Sequence, residues 1–316
     1  MIWDRIHGPG EGEDPVQGWG GISYSLEALS AALPVGWVVR PILRLGADLA
    51  ARALTYLESI PRVETWSGVQ VASGVNPRVE LRYQDRETRS EVPSGHVPPW
   101  TWPDLEDLVQ ELDAVYVNFI TGRELNLDTA RALGEGFPGP LYADLHTLFA
   151  DISPSGTRFP RPLPSWREWF RTFDAIQVNE EEFRLITGSV DETWEQAAEI
   201  IGGRPSLAAV TMGPRGSAYL AEEGFDADPM TWASRRRLAA GGISTRRGSV
   251  MAASADFSAD PTGCGDVWGA TFFARLLAGE SLERAMETAN GTAFENLKHR
   301  GAQGLHRLLP DFSAGR

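Results

Sequence analysis

The sequence predicts an α/β fold of three layers, in which a mainly parallel sheet is covered by helices on both faces. Three observations support this prediction. Short apolar segments alternate with amphipathic helical patterns along most of the chain, as in βαβ units. One stretch, at residues 63–83, interrupts the alternation with apolar residues at every second position. Late in the chain, a glycine-containing loop leads directly into an apolar helix.

Each element follows from a local pattern. Short apolar runs predict strands at residues 37–39, 113–118, 141–145, 175–178 and 207–211. Helical spacing of apolar residues predicts helices at 23–33, 47–59, 129–133, 180–187, 193–201, 267–278 and 282–298. The proline-rich patches at 93–103 and 154–164 indicate surface loops.

Residues 63–83 predict a β-hairpin that is not part of a βαβ unit. Val69 and Val71 lie before a turn at residues 74–77, and the period of two continues after it through Tyr83. Two interpretations stay open, a small lid over the main domain or an edge hairpin of the main sheet. With the lid, the predicted organisation is a core of residues 1–61 and 101–316 and a lid of residues 62–100.

Composition restricts the class of partner. The chain has 316 residues, 42% of them hydrophobic, and a formal net charge of −14. Nucleic acids and anionic membranes attract basic surfaces, so neither is an expected partner. Cys264 is the only cysteine, which allows no internal disulfide and suits a reducing compartment. No apolar stretch is long enough to span a bilayer, and we expect a cytoplasmic protein.

Lysine is nearly absent. Lys298 is the only lysine among 29 basic residues, so neither a Walker P-loop nor the early-strand lysine of protein kinases is present. A phosphate-transferring chain of this composition must hold phosphate with backbone amides, Mg²⁺ and arginine.

The most informative segment is Asp-Pro-Thr-Gly-Cys-Gly-Asp, at residues 260–266, at the start of the apolar helix. Helix N-termini expose unpaired N–H groups and carry partial positive charge, and glycine lets the backbone approach an anion closely. Gly263, Cys264 and Gly265 therefore predict an anion-binding loop, and Asp266 lies where it could take a proton. The alternative for a lone Gly-x-Gly is an ordinary tight turn.

This segment resembles the C-terminal signature of the ribokinase-like (PfkB-type) carbohydrate and nucleoside kinases. Pro261, Cys264 and Thr271 depart from the usual pattern. The resemblance implies an ATP-dependent kinase with a small β lid and Mg²⁺, which phosphorylates a hydroxyl of a sugar, nucleoside or related polyol. It gives Asp266 the role of base, and the amides of the loop would stabilise the transferring phosphoryl group. Asp260 and Thr262 would either help to hold a monovalent cation such as K⁺ or stabilise the loop.

Further motifs match the family's order on the nucleotide side. Asn179 and Glu182 resemble an Asn-x-x-Glu motif in which Glu182 holds Mg²⁺ through water, although the same residues would also make a good helix cap. The resemblance also assigns a set of cofactor contacts: Thr211, Gly213 and Gly216 in a turn along the nucleotide, and Asn290 near the adenine. As a helix residue, Asn290 could equally be a surface side chain.

The acceptor side is matched near the N-terminus. Gly20 and Gly21 resemble the family's sugar-binding turn, and Ser25 stands where Asn is usual. Asp4 would bind acceptor hydroxyls. Because Met1 lies only three residues before Asp4, we expect the native chain to begin upstream.

Three residues lie at the ends of predicted strands. Asn118 and Asp144 stand where α/β sheets present ligand contacts, and we expect Asn118 to touch the substrate and Asp144 to lie near the phosphate. His146 has no companion at metal-ligand spacing and is interpreted as structural. The family also suggests a homodimer, whereas the identity of the acceptor is not encoded in any readable motif.

Two other functions compete with the kinase. A sugar- or nucleotide-binding protein that has lost turnover is compatible with Ser25 and Thr271, although it would not need Asp266 as a base. In a nicotinamide-dependent dehydrogenase, the Gly263–Gly265 loop would be the dinucleotide turn, but Gly269 lies one residue too far for Gly-x-Gly-x-x-Gly.

Overall fold

The structure, a computed structural model, describes residues 1–7, 14–83, 89–199, 201–202, 204–235, 244–252, 261–310 and 312. The strands are β1 (Ile2–His7), β2 (Val16–Gly20), β3 (Leu43–Gly46), β4 (Val69–Ala72), β5 (Val75–Tyr83), β6 (Arg89–His96), β7 (Val115–Asn118), β8 (Leu141–Asp144), β9 (Ala150–Ile152), β10 (Arg158–Pro160), β11 (Ala175–Asn179), β12 (Leu207–Thr211), β13 (Ser217–Glu222) and β14 (Thr245–Val250). The helices are α1 (Ile22–Ala32), α2 (Ala50–Ser59), α3 (Trp102–Val109), α4 (Leu127–Gly136), α5 (Trp166–Thr172), α6 (Glu180–Arg184), α7 (Val190–Ala198), α8 (Trp232–Arg235), α9 (Cys264–Leu277) and α10 (Leu282–Asn296).

The central sheet has the strand order β14-β13-β12-β11-β8-β7. Strands β7, β8, β11 and β12 are parallel, whereas β13 and β14 are antiparallel to their neighbours. The predicted mixed α/β fold with a mainly parallel sheet is therefore confirmed. The parallel strands bring the carboxyl ends of β7, β8, β11 and β12 to one edge of the sheet, where Asn118, Asp144, Asn179 and Thr211 lie.

Both faces of the central sheet are buried. In β12, Ala208 and Val210 belong to the hydrophobic cluster that includes α4, α5 and α7. Leu207 and Ala209 belong to a second cluster on the other face, with side chains of α9 and α10. Strands covered on both sides are apolar at successive positions rather than alternating, which is why the short apolar runs predicted them correctly.

A second sheet has the strand order β2-β1-β5-β6. The hairpin predicted within residues 63–83 is wrong. Its first half, β4, pairs in parallel with β3, and the antiparallel partner of β5 is β6. A period of two in the sequence predicts a strand with one buried face, but it does not identify the partner.

Helix α1 packs against α9 and positions the residues of the site. Tyr24 and Ala28 of α1 share a buried cluster with Val267, Ala270 and Ala274 of α9. Small side chains at this contact let the two helices approach closely.

Other differences from the predictions are local. The strand predicted at 37–39 is reduced to one bridge between Val39 and Val63. The patch at 93–103, predicted as a loop, contains the end of β6 and the start of α3, whose N-terminus is closed by a capping box of Thr101 and Asp104. Among the described residues, no helix is long and apolar enough to cross a membrane.

Candidate active site

Gly263 caps the N-terminus of α9 in a left-handed conformation, with φ of 78°. A Cβ at this position would lie 2.4 Å from ring atoms of Tyr24 in α1. Glycine is therefore required by both backbone conformation and space. Gly265 is exposed, and the nearest side-chain atom to a Cβ there, Nε2 of Gln177, would be 4.0 Å away.

The loop presents fewer amides than the sequence suggested. The backbone N–H of Cys264 donates to the carbonyl of Pro261 at 3.1 Å. Within the described part of the chain, the amides of Gly263 and Gly265 have no acceptor. Of the three predicted donors, Gly263 and Gly265 are thus open to an anion, whereas Cys264 is not. The Cys264 side chain lies inward, with Sγ 3.4 Å from Nδ2 of Asn296.

Asp266, in the first turn of α9, meets two residues from distant parts of the chain. Nδ2 of Asn118, at the end of β7, donates to Oδ1 of Asp266 at 2.7 Å and to Oγ of Ser25 at 2.8 Å. The Ser25 hydroxyl in turn donates to the Asp266 carbonyl at 3.3 Å. Asn118 and Ser25 are 5% and 1% exposed. Two residues predicted on the acceptor side therefore hold the predicted base.

Gln177, which sequence reasoning missed, links the sheet to the loop. Its Nε2 donates to the Asp144 carboxylate at 3.1 Å and to the Gly265 carbonyl at 3.1 Å, and its Oε1 accepts from the Tyr142 hydroxyl at 2.6 Å. A polar side chain inside the apolar run of β11 was the available signal. Asp144, predicted near the phosphate, is buried beneath the loop, and burial raises its pKa to about 8.

Glu182 and Asn179 form the capping box of α6. The Asn179 backbone N–H donates to Oε2 of Glu182 at 2.8 Å, and Asn179 Nδ2 donates to Oε1 at 2.6 Å. Oε1 also accepts from Nδ1 of His146. The interpretation of His146 as a structural residue stays a prediction, and its side chain is 53% exposed at the sheet edge. The Glu182 carboxylate raises the pKa of His146 to about 9.

Glu182 does not fit the magnesium site that the resemblance implies. Three donors already occupy its carboxylate, which can accept about four hydrogen bonds, and the residue is 5% exposed. Mg²⁺ demands near-octahedral oxygen ligands and keeps several waters, for which this side chain leaves little room.

Thr262 does not fit the predicted monovalent cation site. Its carbonyl accepts from Nδ2 of Asn296 at 3.0 Å, and its hydroxyl lies 2.9 Å from the hydroxyl of Tyr83 in β5. These contacts support its alternative role in stabilising the loop. Asp260, the other predicted ligand, lies outside the described residues.

The predicted nucleotide turn forms at the same sheet edge. Thr211 pairs with Asn179 across β12 and β11. The turn that follows is the 3₁₀ helix Gly213–Arg215, and it ends at Gly216, where φ is 89° and a Cβ would lie 2.1 Å from the Val250 carbonyl. The turn therefore needs glycine at Gly216 for its own closure.

The side-chain amide of Asn290 is used within the protein. Its Oδ1 accepts from Ser217 Oγ and Trp268 Nε1, at 3.1 and 2.8 Å. Its Nδ2 donates to the carbonyls of Val250 and Met251, at 3.2 and 3.1 Å. All four hydrogen-bonding positions are used, and the residue is 8% exposed. The amide of Asn290 therefore ties α9, β13 and β14 together, and the adenine contact expected of it stays a prediction.

Asp4 and the glycine pair are adjacent in the second sheet. Asp4 lies inside β1 rather than at its end and is 7% exposed. A Cβ on Gly20 would lie 1.6 Å from Oδ2 of Asp4. Gly21, with φ of 56°, begins α1, and a Cβ there would lie 2.4 Å from Cγ2 of Ile120. The glycine pair thus leads the chain past Asp4 and into α1.

A cavity of about 1460 Å³ opens beside Asn118 and Ser25. Its lining also includes Ile120, after β7, and Val79 and Pro93 of the second sheet. Oδ1 of Asn118 is buried without a hydrogen-bond partner in the described part of the chain. An unpaired buried acceptor is costly, and a ligand hydroxyl in this cavity could satisfy it.

Comparison with protein families identifies residues 43–307 as a match to the model described as pfkB family carbohydrate kinase. No curated protein sequence matches the chain.

Three solved structures are similar in fold. A sulfate complex of a pyrophosphate-dependent kinase in the ribokinase family has a TM-score of 0.69 at 18% identity, covering 97% of this chain and 95% of that one. Adenosine kinase from Sinorhizobium meliloti has a TM-score of 0.67 at 17% identity, covering 97% and 88%. Arabidopsis thaliana ribokinase, complexed with ribose and ATP, has a TM-score of 0.63 at 18% identity, covering 98% and 92%.

Proposed function

Because the chain belongs to the pfkB family of carbohydrate kinases, we propose that it transfers the terminal phosphoryl group of ATP to a hydroxyl of a sugar, nucleoside or related polyol. Family membership removes the nicotinamide-dependent dehydrogenase from consideration. One observation carries the proposal. The carboxylate of Asp266 lies at the rim of a loop with two uncommitted amides and is bonded to Asn118, which also lines the large cavity.

In the proposed mechanism, the acceptor hydroxyl lies in the cavity beside Asn118, within reach of the Asp266 carboxylate to which Asn118 is bonded. Asp266 takes the hydroxyl proton as the hydroxyl oxygen bonds to the terminal phosphorus, while the bond from that phosphorus to the bridging oxygen breaks and ADP leaves. Such general-base help is typically worth about 10²–10⁴ in rate. Asn118 holds the carboxylate in place during this step, and Ser25 bonds to Asn118 and to the main-chain carbonyl of Asp266. The amides of Gly263 and Gly265 donate hydrogen bonds to the transferring phosphoryl oxygens and so stabilise their negative charge. Because Glu182 does not fit the magnesium site that the resemblance implies, no step is assigned to the metal.

The test measures the release of ADP by the purified protein, with ATP as donor, over a panel of sugars, nucleosides and polyols. We expect one acceptor class to give turnover, and Asp266→Asn to lower kcat by about 10²–10⁴ while the melting temperature stays unchanged. Asp128→Asn is the matched control, since Asp128 is an 88% exposed aspartate of α4. Full activity of Asp266→Asn toward a confirmed acceptor would refute the mechanism. Binding without turnover across the panel would favour the alternative of a binding protein.

Pyrophosphate is a second candidate donor, favoured by one observation. The amide of Asn290, expected near an adenine, is fully used within the protein. A donor without a base would not need this contact, and a pyrophosphate-dependent kinase is among the structures of similar fold. Parallel assays with ATP and with inorganic pyrophosphate, at the same acceptor concentrations, would distinguish the two donors.

A further inference from the structure

The side chain of Glu182 is committed to its neighbours. Two of its three hydrogen bonds come from Asn179 and close the N-terminus of α6, and the third comes from His146 Nδ1. Glu182 is almost completely buried, so its negative charge is compensated by these donors rather than by solvent. At the sheet edge, Glu182 therefore acts on other groups through the ring of His146.

His146 is held from two sides. Its backbone N–H donates to Oδ1 of Asp144 at 3.1 Å, at the point where β8 passes into the 3₁₀ helix His146–Phe149. Its ring is oriented by Glu182 through Nδ1. Within the described part of the chain, Nε2 has no hydrogen-bond partner, and the side chain is about half exposed. The ring therefore combines a fixed orientation with one uncommitted nitrogen.

This nitrogen belongs to the same edge as the anion loop. The other oxygen of Asp144 accepts from Gln177 Nε2, which also donates to the Gly265 carbonyl. Two hydrogen bonds therefore connect Asp144, which holds the backbone of His146, to the anion loop. Other basic side chains are engaged. Arg215, in the predicted nucleotide turn, is bonded to Glu180, and Lys298 pairs with Glu295 at the far end of α10. His146 is thus the basic group that remains available beside the loop among these residues.

Resting on the proposed kinase function, we propose that Nε2 of His146 donates a hydrogen bond to a phosphate oxygen of the donor, and that Glu182 is the residue that positions the ring. The imidazole then supplies, near the phosphate chain, positive charge that most phosphate sites obtain from lysine, arginine or a metal ion. A chain with one lysine has need of such a group. Glu182 acts through His146 and not as a ligand of Mg²⁺.

The test measures binding of inorganic tripolyphosphate by calorimetry, with EDTA present and then with Mg²⁺. We expect wild-type protein to bind without metal, and His146→Gln and His146→Ala to bind about tenfold or more weakly in both conditions, as for loss of a charge-assisted hydrogen bond. Glu182→Gln should weaken binding less than His146→Ala, and excess Mg²⁺ should not change that order. His299→Gln is the control, because His299 is half-buried and its ring is hydrogen-bonded to the Gln303 carbonyl rather than to a residue of the anion loop.

Wild-type affinity in both His146 variants would overturn the proposal. So would binding that requires Mg²⁺ and is lost in Glu182→Gln but not in His146→Ala. Absence of tripolyphosphate binding by the wild type would also overturn it. Failure of the proposed function is distinguishable, since a protein without turnover on any acceptor would still show His146-dependent binding of tripolyphosphate.

Discussion

Nδ2 of Asn118 lies 2.7 Å from Oδ1 of Asp266, although the two residues are 148 positions apart in the chain. Asn118 ends a strand of the central sheet, and Asp266 begins the helix that follows the anion loop. The contact therefore joins the acceptor side of the site to the group proposed to take the proton.

Asn118→Ala should lower kcat for a confirmed acceptor by about tenfold or more, because Asp266 loses the donor that holds it. The double variant with Asp266→Asn should be little slower than Asp266→Asn alone, since both changes affect one unit. Steady-state kinetics of the three variants test this. Independent, multiplicative effects would show that Asn118 does not act through Asp266.

Gly263→Ala should reduce the free energy of unfolding by about 1–3 kcal/mol, because alanine would adopt a positive φ and collide with the Tyr24 ring. Gly265→Ala is its matched comparison. A methyl group there meets no side chain, so stability should stay within about 0.5 kcal/mol, whereas donor affinity should fall. Denaturant unfolding and donor titration separate the two effects. Equal stability of both variants would contradict the packing argument.

Asn290→Ala should destabilise the fold by about 1–3 kcal/mol, since Trp268 Nε1 and Ser217 Oγ would lose their acceptor. The KM for ATP should stay unchanged. Thermal unfolding and donor kinetics are the measurements. A large rise in the KM for ATP with little loss of stability would support the adenine contact predicted for Asn290 from the sequence.

Stability should fall as the pH rises through two overlapping windows. The pKa of Asp144 is raised to about 8 from 3.8, and that of His146 to about 9 from 6.5. Within each window, the folded protein binds more protons than the unfolded chain, so the free energy of unfolding decreases with increasing pH.

Melting temperatures measured between pH 5 and 9 test these windows, and the slope of melting temperature against pH is the readout. Asp144→Asn should flatten the curve between pH 5 and 8, and His146→Gln should flatten it between pH 6.5 and 9. Wild-type slopes in both variants would show that other groups cause the dependence.

Tyr83→Phe should raise the KM for the acceptor by about twofold to tenfold with little change in melting temperature. The tyrosine hydroxyl lies 2.9 Å from the Thr262 hydroxyl and connects the second sheet to the anion loop, a contact worth about 0.5–1.5 kcal/mol. Tyr219→Phe is the control, because its hydroxyl contacts Glu283 instead. An unchanged KM would mean that this contact has no part in acceptor binding.

The predictable part of the fold was the part governed by local patterns. The strands of the central sheet are buried on both faces, so their apolar runs are read directly from the sequence. The partners of strands were not predictable in the same way. The alternation in Val69–Ala72 suits an antiparallel hairpin and the observed parallel pair with Leu43–Gly46 equally well.

The residues of the site also differ in whether a local pattern in the sequence identifies them. Gly263 and Asp266 were identified because they belong to one short motif at a helix N-terminus. Ser25 reaches Asp266 across 241 positions, and His146 reaches Glu182 across 36, so neither contact leaves a local signature. His146 illustrates this, since a histidine without nearby partners in sequence can still have one in space.

The pairing of β1 between β2 and β5 limits how the molecule can be re-engineered. Replacing residues 62–100 with a short linker would strip β1 of its parallel neighbour and expose a row of unpaired N–H and C=O groups. In such a shortened chain β1 would be an exposed edge strand, and the chain would tend to aggregate through it. Transferring residues 62–100 to a related enzyme would leave β5 without β1 as its neighbour, unless the first twenty residues were transferred as well.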